Sequence, residues 1–190
     1  MASALQPEVD ILINNAGIFE PKGFLDIPDS DWSRFFEVNV MSGVRLSRAY
    51  LPGMLKRNWG RIVFISSESA LNIPAEMIHY GMTKTAQLAV SRGLAEMTRG
   101  TAVTVNAVLP GPTMSEGVEA MVKELARQNG QSVAEAASQF VKKFRPTSLL
   151  ERFATPEEIA NMVIYVASKE SAATNGAGLR ADGGTVNSIA

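Results

Sequence analysis

Apolar residues fall in four short runs separated by longer amphipathic stretches, and that alternation sets the expected order of elements. Residues 9–13 are apolar at every position after Asp10 and stop at Asn14-Asn15-Ala16-Gly17, which predicts a strand covered on both faces and ending in a turn. Asp29 or Ser30 can cap a helix, and Phe35, Val38, Leu46 and Leu51 carry its apolar positions to about residue 55, with a frayed end at Pro52-Gly53. Residues 61–66 read as a second buried strand, followed by a loop to Pro74 and a helix over about 75–98. The small residues Gly81, Ala86, Ala89, Gly93 and Ala95 would let another helix approach that one closely.

Residues 102–109 predict a third strand, stopped by Pro110-Gly111-Pro112. Residues 115–144 are helical in pattern but mixed in polarity, and are interrupted near Asn129-Gly130. Thr155-Pro156-Glu157-Glu158 combines a cap, a proline in the first turn and acids beside the helix dipole, opening a helix that ends near Ser168. Residues 178–181 predict a short last strand, closed by the turn sequence Asp182-Gly183-Gly184. Four strand–helix alternations predict an α/β fold with a parallel sheet and helices on both faces. No repeat or linker divides the chain, so residues 1–190 are expected to form one domain.

Composition narrows the functional classes. Of 190 residues, 46% are hydrophobic and 19% charged, which fits a globular chain with a sizeable core. A formal net charge of −1 gives no broad attraction to nucleic acid or anionic membrane, and neither partner is expected. The lack of cysteine excludes disulfides and thiolate metal sites, and the single histidine, His79, excludes a His-rich zinc site and argues against a Ser-His-Asp triad. No metal is expected. Residues 1–8 lack the pattern of a signal peptide, and no apolar run approaches the roughly 18 residues of a membrane span. The expectation is a cytoplasmic protein.

The chemistry concentrates at Ser67, Tyr80 and Lys84. Ser67 precedes Tyr80 by thirteen residues, and Lys84 follows Tyr80 by four, so the latter two share a helix face. A phenol can give or take a proton, but it titrates near 10 and is a poor base at neutral pH. An ammonium one turn away is expected to lower that value, and the Ser67 hydroxyl to orient a substrate oxygen. His79 adjoins Tyr80 but points away from it on a helix, so it reads as a packing or surface residue. Glu68 and Ser69 are further candidates for substrate contact. The methionines are mostly core filler.

Taken in order, these residues belong to a recognisable set: NNAG at 14–17, Asn39 in EVNVMSG, Ser67 in ISSES, YGMTK at 80–84, LPGPT at 109–113 and ADGG at 181–184. The chain resembles the short-chain dehydrogenase/reductase family, especially its 3-oxoacyl-carrier-protein-reductase-like branch, over nearly its whole length. The resemblance implies a Rossmann-like doubly wound sheet and an NAD(P)-dependent oxidoreductase acting on a small-molecule carbonyl or secondary alcohol. By the same resemblance, Tyr80 is the proton donor in reduction and the base in oxidation. Lys84 binds the nicotinamide ribose and holds the tyrosine pKa down, Ser67 holds the carbonyl, and Asn39 anchors a water leading from Lys84 to solvent. Asn15, Ala16 and Gly17 lie along the adenosine side of NAD or NADP. Pro110, Gly111 and Thr113 border the nicotinamide, with Ser115 a second candidate for the Thr113 contact and Met114 a candidate pocket residue. Residues 112–150 form a lid, and the family's usual assembly implies a homo-oligomer.

Members of that family usually start with two strand–helix units, carrying a TGxxxGxG loop that binds pyrophosphate, and a third strand. No such loop occurs in residues 1–190, so the expected fold is the C-terminal part of the doubly wound sheet. The retention of Ser67, Tyr80 and Lys84 favours a piece of a longer enzyme. A piece whose open edge pairs with another copy, and a cofactor-less, non-catalytic oligomerising product, remain alternatives.

Overall fold

A computed structural model describes residues 8–189; residues 1–7 and 190 lie outside the described residues, and with them most of the segment tested for a signal peptide. Four parallel strands, β1 (Ile11–Asn14), β2 (Gly60–Ile65), β3 (Val103–Pro110) and β4 (Gly178–Ala181), lie side by side in the order β1-β2-β3-β4. Their connections are helical: α1 (Asp29–Phe36) and α2 (Ser42–Arg57) lead into β2, and α3 (Ile78–Glu96) leads into β3. Between β3 and β4 come α4 (Glu116–Asn129), α5 (Val133–Phe144) and α6 (Pro156–Ala167). The fold is the α/β, Rossmann-like parallel sheet that the alternation implied.

Cover on the two faces comes from different helices. Leu12, Ile62, Phe64 and Val105 pack on one face against Leu51 and Met54 of α2 and Ala95 of α3. On the other face Val63 and Val108 pack against Val166 of α6. The inner strands β2 and β3 are therefore buried almost throughout, which accounts for their unbroken apolar runs. The expectation for the first strand needs correction: it starts at Ile11, and only Leu12 and Asn14 are buried, while Ile11 and Ile13 are 46% and 36% exposed. It stands at the edge of the sheet, whereas α6 packs on β2, β3 and β4.

The helix expected from residue 29 to 55 is also broken up. Pro28 precedes it, no side chain caps it, and Asp29 and Asp31 instead lie in its first turn, where the dipole favours their charge. A π-helical turn over Glu37–Met41 separates α1 from α2. Leu51 and Met54 are buried on either side of Pro52, and α2 runs past it to a left-handed cap at Asn58, with φ 55°. The α4–α5 break falls where the sequence placed it, at Gly130 with φ 63°, and a reciprocal Ser132–Glu135 capping box opens α5. These two helices share a small core of Val122, Ala126, Ala136, Val141 and Phe153. The matching box at the start of α6 pairs Thr155 with Glu158. Among the described residues no helix is long and apolar enough to cross a membrane.

Candidate active site

The carboxyl ends of β1, β2 and β3 open into a cleft of about 590 Å³, closed on its far side by α4, α5 and α6. Crevices at the carboxyl ends of parallel strands are the usual ligand sites of such sheets. Ser67 enters from the end of β2, Tyr80 and Lys84 from one face of α3, and all three line this space. Gly81 allows that approach: a Cβ there would sit 2.6 Å from Ile73 Cγ2 and 3.0 Å from the Ser69 carbonyl oxygen.

Lys84 is 6% exposed, and its ammonium donates to the Ile65 carbonyl at 2.9 Å and to Gln87 Oε1 at 3.3 Å. Burial without a carboxylate partner lowers its pKa to about 8. The same ammonium lies 5.5 Å from the centre of the Tyr80 ring. The phenol nonetheless titrates above its ordinary value, because burial outweighs the Ser67 hydrogen bond that favours its ionised form; Glu68 adds to the rise and Arg145 opposes it. The expectation that Lys84 holds the phenol pKa down is thus corrected. The ammonium spends its hydrogen bonds elsewhere, and desolvation dominates.

Asn39 lies in the π-helical turn and is 1% exposed, outside the cleft lining. Its Oδ1 accepts from the Ile18 amide at 2.7 Å, and its Nδ2 donates to the Ile18 carbonyl at 3.0 Å and to Thr83 Oγ1 at 2.9 Å. Its own carbonyl accepts from Gln87 Nε2 at 2.6 Å. The side chain pins the loop after Gly17 to α3. Gln87, which sequence reasoning missed, joins Lys84 to this network; its spacing of three from Lys84 was the available signal.

The two adjacent serines are separated by their partners. The Ser66 hydroxyl donates to the Lys84 carbonyl at 2.9 Å, whereas Ser67 Oγ accepts from the Ser69 amide at 3.1 Å and stands beside the Tyr80 phenol. Glu68, 3% exposed, accepts at Oε1 from Arg145 Nε at 2.7 Å and from Ser69 Oγ at 3.1 Å. Arg145 comes from the end of α5, 77 residues away, and nothing local in the sequence marked it. His79 is fully buried against Phe35, with ring centroids 4.1 Å apart, as a packing residue.

The remaining candidates lie in loops. Asn15 and Gly17 line the cleft and Ala16, equally exposed, does not. Pro110, Gly111, Thr113 and Ser115 border it, but the Thr113 hydroxyl donates to the Gly111 carbonyl at 2.9 Å. Met114 packs into the α4–α5 core and is absent from the lining. The Asp182 turn explains the last motif: its carboxylate accepts from the Gly184 amide at 3.1 Å and the Val186 amide at 2.9 Å.

Comparison with known proteins agrees with this architecture. A family model described as enoyl-(acyl carrier protein) reductase matches residues 2–186. An uncharacterized oxidoreductase of Bacillus subtilis, YvaG, is 55% identical over 96% of this chain and 69% of its own length. A D-beta-hydroxybutyrate dehydrogenase of Cupriavidus necator is 31% identical over 93% of this chain and 67% of its own. The structure of L-sorbose reductase from Gluconobacter frateurii, complexed with NADPH and L-sorbose, superposes with a TM-score of 0.89 at 29% identity, covering 96% of this chain and 68% of that one. The chain thus spans about two thirds of the length of these relatives. It belongs to the short-chain dehydrogenase/reductase family of oxidoreductases.

Proposed function

We propose that the protein transfers hydride between NAD(P) and a small-molecule carbonyl or secondary alcohol, with Tyr80 as the acid and base. The observation that carries this reading is the convergence of Ser67, Tyr80 and Lys84 on one cleft at the carboxyl ends of parallel strands. The NADPH complex of the sorbose reductase and the hydroxybutyrate dehydrogenase support the same reaction class.

The residues fit a nicotinamide riboside. Two of the three Lys84 ammonium hydrogens are engaged by neutral acceptors, leaving one donor and a buried positive charge for ribose hydroxyls. Asn15, Ala16 and Gly17 would follow the adenosine side, and Pro110, Gly111 and Thr113, with Ser115, would border the nicotinamide. A bound NADH or NADPH supplies the hydride. Ser67 orients the substrate oxygen, and Tyr80, kept protonated by its raised pKa, gives that oxygen its proton in reduction; in oxidation the phenolate takes it back. Asn39 and Gln87 hold Lys84 and the Gly17 loop in register. Residues 112–150, holding α4 and α5, act as the lid. The exposed stretch of α3 at Ala89 and Gly93, with open space around Gly93, supports a homo-oligomer, which light scattering of the purified protein tests.

The test is titration of NADH and NADPH against the protein, with melting temperature and then nicotinamide absorbance as readouts. Nucleotide at a hundredfold excess over its dissociation constant should stabilise by about 2.7 kcal/mol. No shift with either nucleotide would overturn the reading in favour of a cofactor-less, oligomerising module.

A further inference from the structure

Arg145 ties the end of α5 to the two turns that carry Ser67 and lead into Tyr80. It follows α5 directly, and its guanidinium is fixed against that helix end by Nη1, which donates to the Phe144 carbonyl at 2.7 Å. From there Nε donates to Glu68 Oε1 at 2.7 Å and Nη1 to Glu76 Oε1 at 3.4 Å. Glu68 opens the 3-10 turn Glu68–Ala70 that Ser67 caps. Glu76 lies in the 3-10 turn Ala75–Met77 directly before α3, whose first turn holds Tyr80. The Arg145 and Glu68 side chains are only 11% and 4% exposed, so the pair is shielded from solvent.

A buried ion pair adds little net stability, because desolvation offsets the attraction, so its effect here is geometric. A guanidinium is planar and fixes direction as well as distance. On the Glu68 side the constraint reaches the serine in two steps. Ser69 Oγ donates to the same Glu68 oxygen at 3.1 Å, and the Ser69 amide donates to Ser67 Oγ at 3.1 Å. On the Glu76 side it holds the entry to α3, where the Glu76 carbonyl also accepts from the Lys22 amide at 2.8 Å. The serine turn has a separate tie to α3, since the Thr85 hydroxyl donates to the Ala70 carbonyl at 2.8 Å. Losing Arg145 should therefore loosen the turn without undoing the fold. We propose that Arg145 is a positioning residue for the reaction: by bridging Glu68 and Glu76 it sets the spacing between the Ser67 hydroxyl and the Tyr80 phenol, and it makes that spacing depend on α5 being docked. The kinetic part of this inference rests on the oxidoreductase reading above.

Acetoacetate and L-sorbose, one charged and one neutral, provide the kinetic test, each assayed with NADH and NADPH against the unmodified protein, Arg145→Met and Arg145→Lys. Arg145→Met should lower kcat about tenfold or more and leave the KM values within about threefold. Arg145→Lys, which returns a cation to Glu68 but lacks the fork, should regain part of the loss. An unchanged kcat overturns the proposal. So does a loss expressed in KM for acetoacetate and not in kcat, which would make Arg145 a binder of substrate carboxylate. Hydrogen exchange gives a reading that needs no turnover. The Ser69 and Ala70 amides, which donate to the Ser67 hydroxyl and carbonyl, should exchange faster in Arg145→Met and slow again in Arg145→Lys. No change there, or quickening confined to α5, overturns the proposal. Should Arg145→Met fail to fold, the double variant Arg145→Met/Glu68→Met, with both charges replaced by apolar groups, takes its place in both measurements. Absence of turnover with either ketone counts against the oxidoreductase reading, and the exchange rates then decide the positioning role alone.

Discussion

The Lys84 ammonium lies 5.5 Å from the centre of the Tyr80 ring and gives its hydrogen bonds to the Ile65 carbonyl and Gln87, leaving the phenol to be governed by burial. That arrangement suits a proton donor better than a base. A phenol whose pKa burial holds above its ordinary value stays protonated throughout the neutral range. Ketone reduction should therefore hold its rate across neutral pH and fall only as the pH passes the ordinary phenol value, while alcohol oxidation should rise with pH. A reduction rate that falls between pH 6 and 8 with no matching change in substrate or nucleotide binding would contradict this assignment.

Replacing Tyr80 with phenylalanine keeps the ring beside Lys84 and removes only the hydroxyl. Turnover should drop by about 10²–10⁴-fold, the usual contribution of a positioned acid or base. Nucleotide binding, followed by the same thermal shift, should survive. A loss below tenfold would show that the proton comes from another group.

Lys84 makes a prediction about stability. Its pKa is about 8 when folded and about 10.4 in an unfolded chain, so between those values the unfolded state binds more protons. Stability from this group therefore rises with pH across the window; the cost of the buried charge is full below pH 8 and relieved above it. The span corresponds to about 3 kcal/mol. Urea unfolding at pH 7 and pH 10, compared with Lys84→Met, isolates the effect: the variant should be ahead at pH 7 and lose that lead by pH 10. An equal difference at both pH values would mean that Lys84 is not desolvated.

Asn39→Ala removes three side-chain hydrogen bonds and strands both the amide and the carbonyl of Ile18. A fully buried group left unpaired costs about 1–3 kcal/mol, and Ile18 is half-buried, so the variant should lose about 2 kcal/mol in urea unfolding. Hydrogen exchange should quicken at Ile18 and in the first turns of α3. A stability loss under 1 kcal/mol would show that water takes over the bonds.

The strand ends and the Ser67–Tyr80–Lys84 spacing were legible because they depend on periods of two and of about 3.6 residues and on turn residues that stop each run. The π-helical turn was not, since Glu37–Met41 carries an apolar pattern compatible with an ordinary helix and differs only in how its backbone is bonded. Arg145 escaped for a different reason: its partner Glu68 is brought near by the α4–α5 excursion, and sequence spacing holds no trace of that contact. The sign of the Tyr80 shift failed because charge proximity can be read along a helix but desolvation depends on what the rest of the chain lays over it. The half-covered state of β1 likewise depends on where α6 lies, and an apolar run alone does not reveal which of its faces is covered.

Two glycines separate close packing from backbone freedom. A Cβ on Gly111 would fall 2.5 Å from the Asp182 carbonyl oxygen and 2.8 Å from its Cα, both backbone atoms of a turn fixed by its own carboxylate. Neither can step aside, so Gly111→Ala should destabilise by about 1–3 kcal/mol and move the Pro110–Thr113 loop at the mouth of the cleft. Gly93 is the counterpart: it lies within α3, and a Cβ there meets nothing within 4 Å. Gly93→Ala should stabilise by about 0.5–1 kcal/mol through the loss of unfolded-chain entropy. Thermal melts of the two variants, run at several protein concentrations, check both signs. If Gly93→Ala destabilises, and more so at high concentration, where copies associate, then a second copy occupies the space beside α3, and that helix face is a subunit contact.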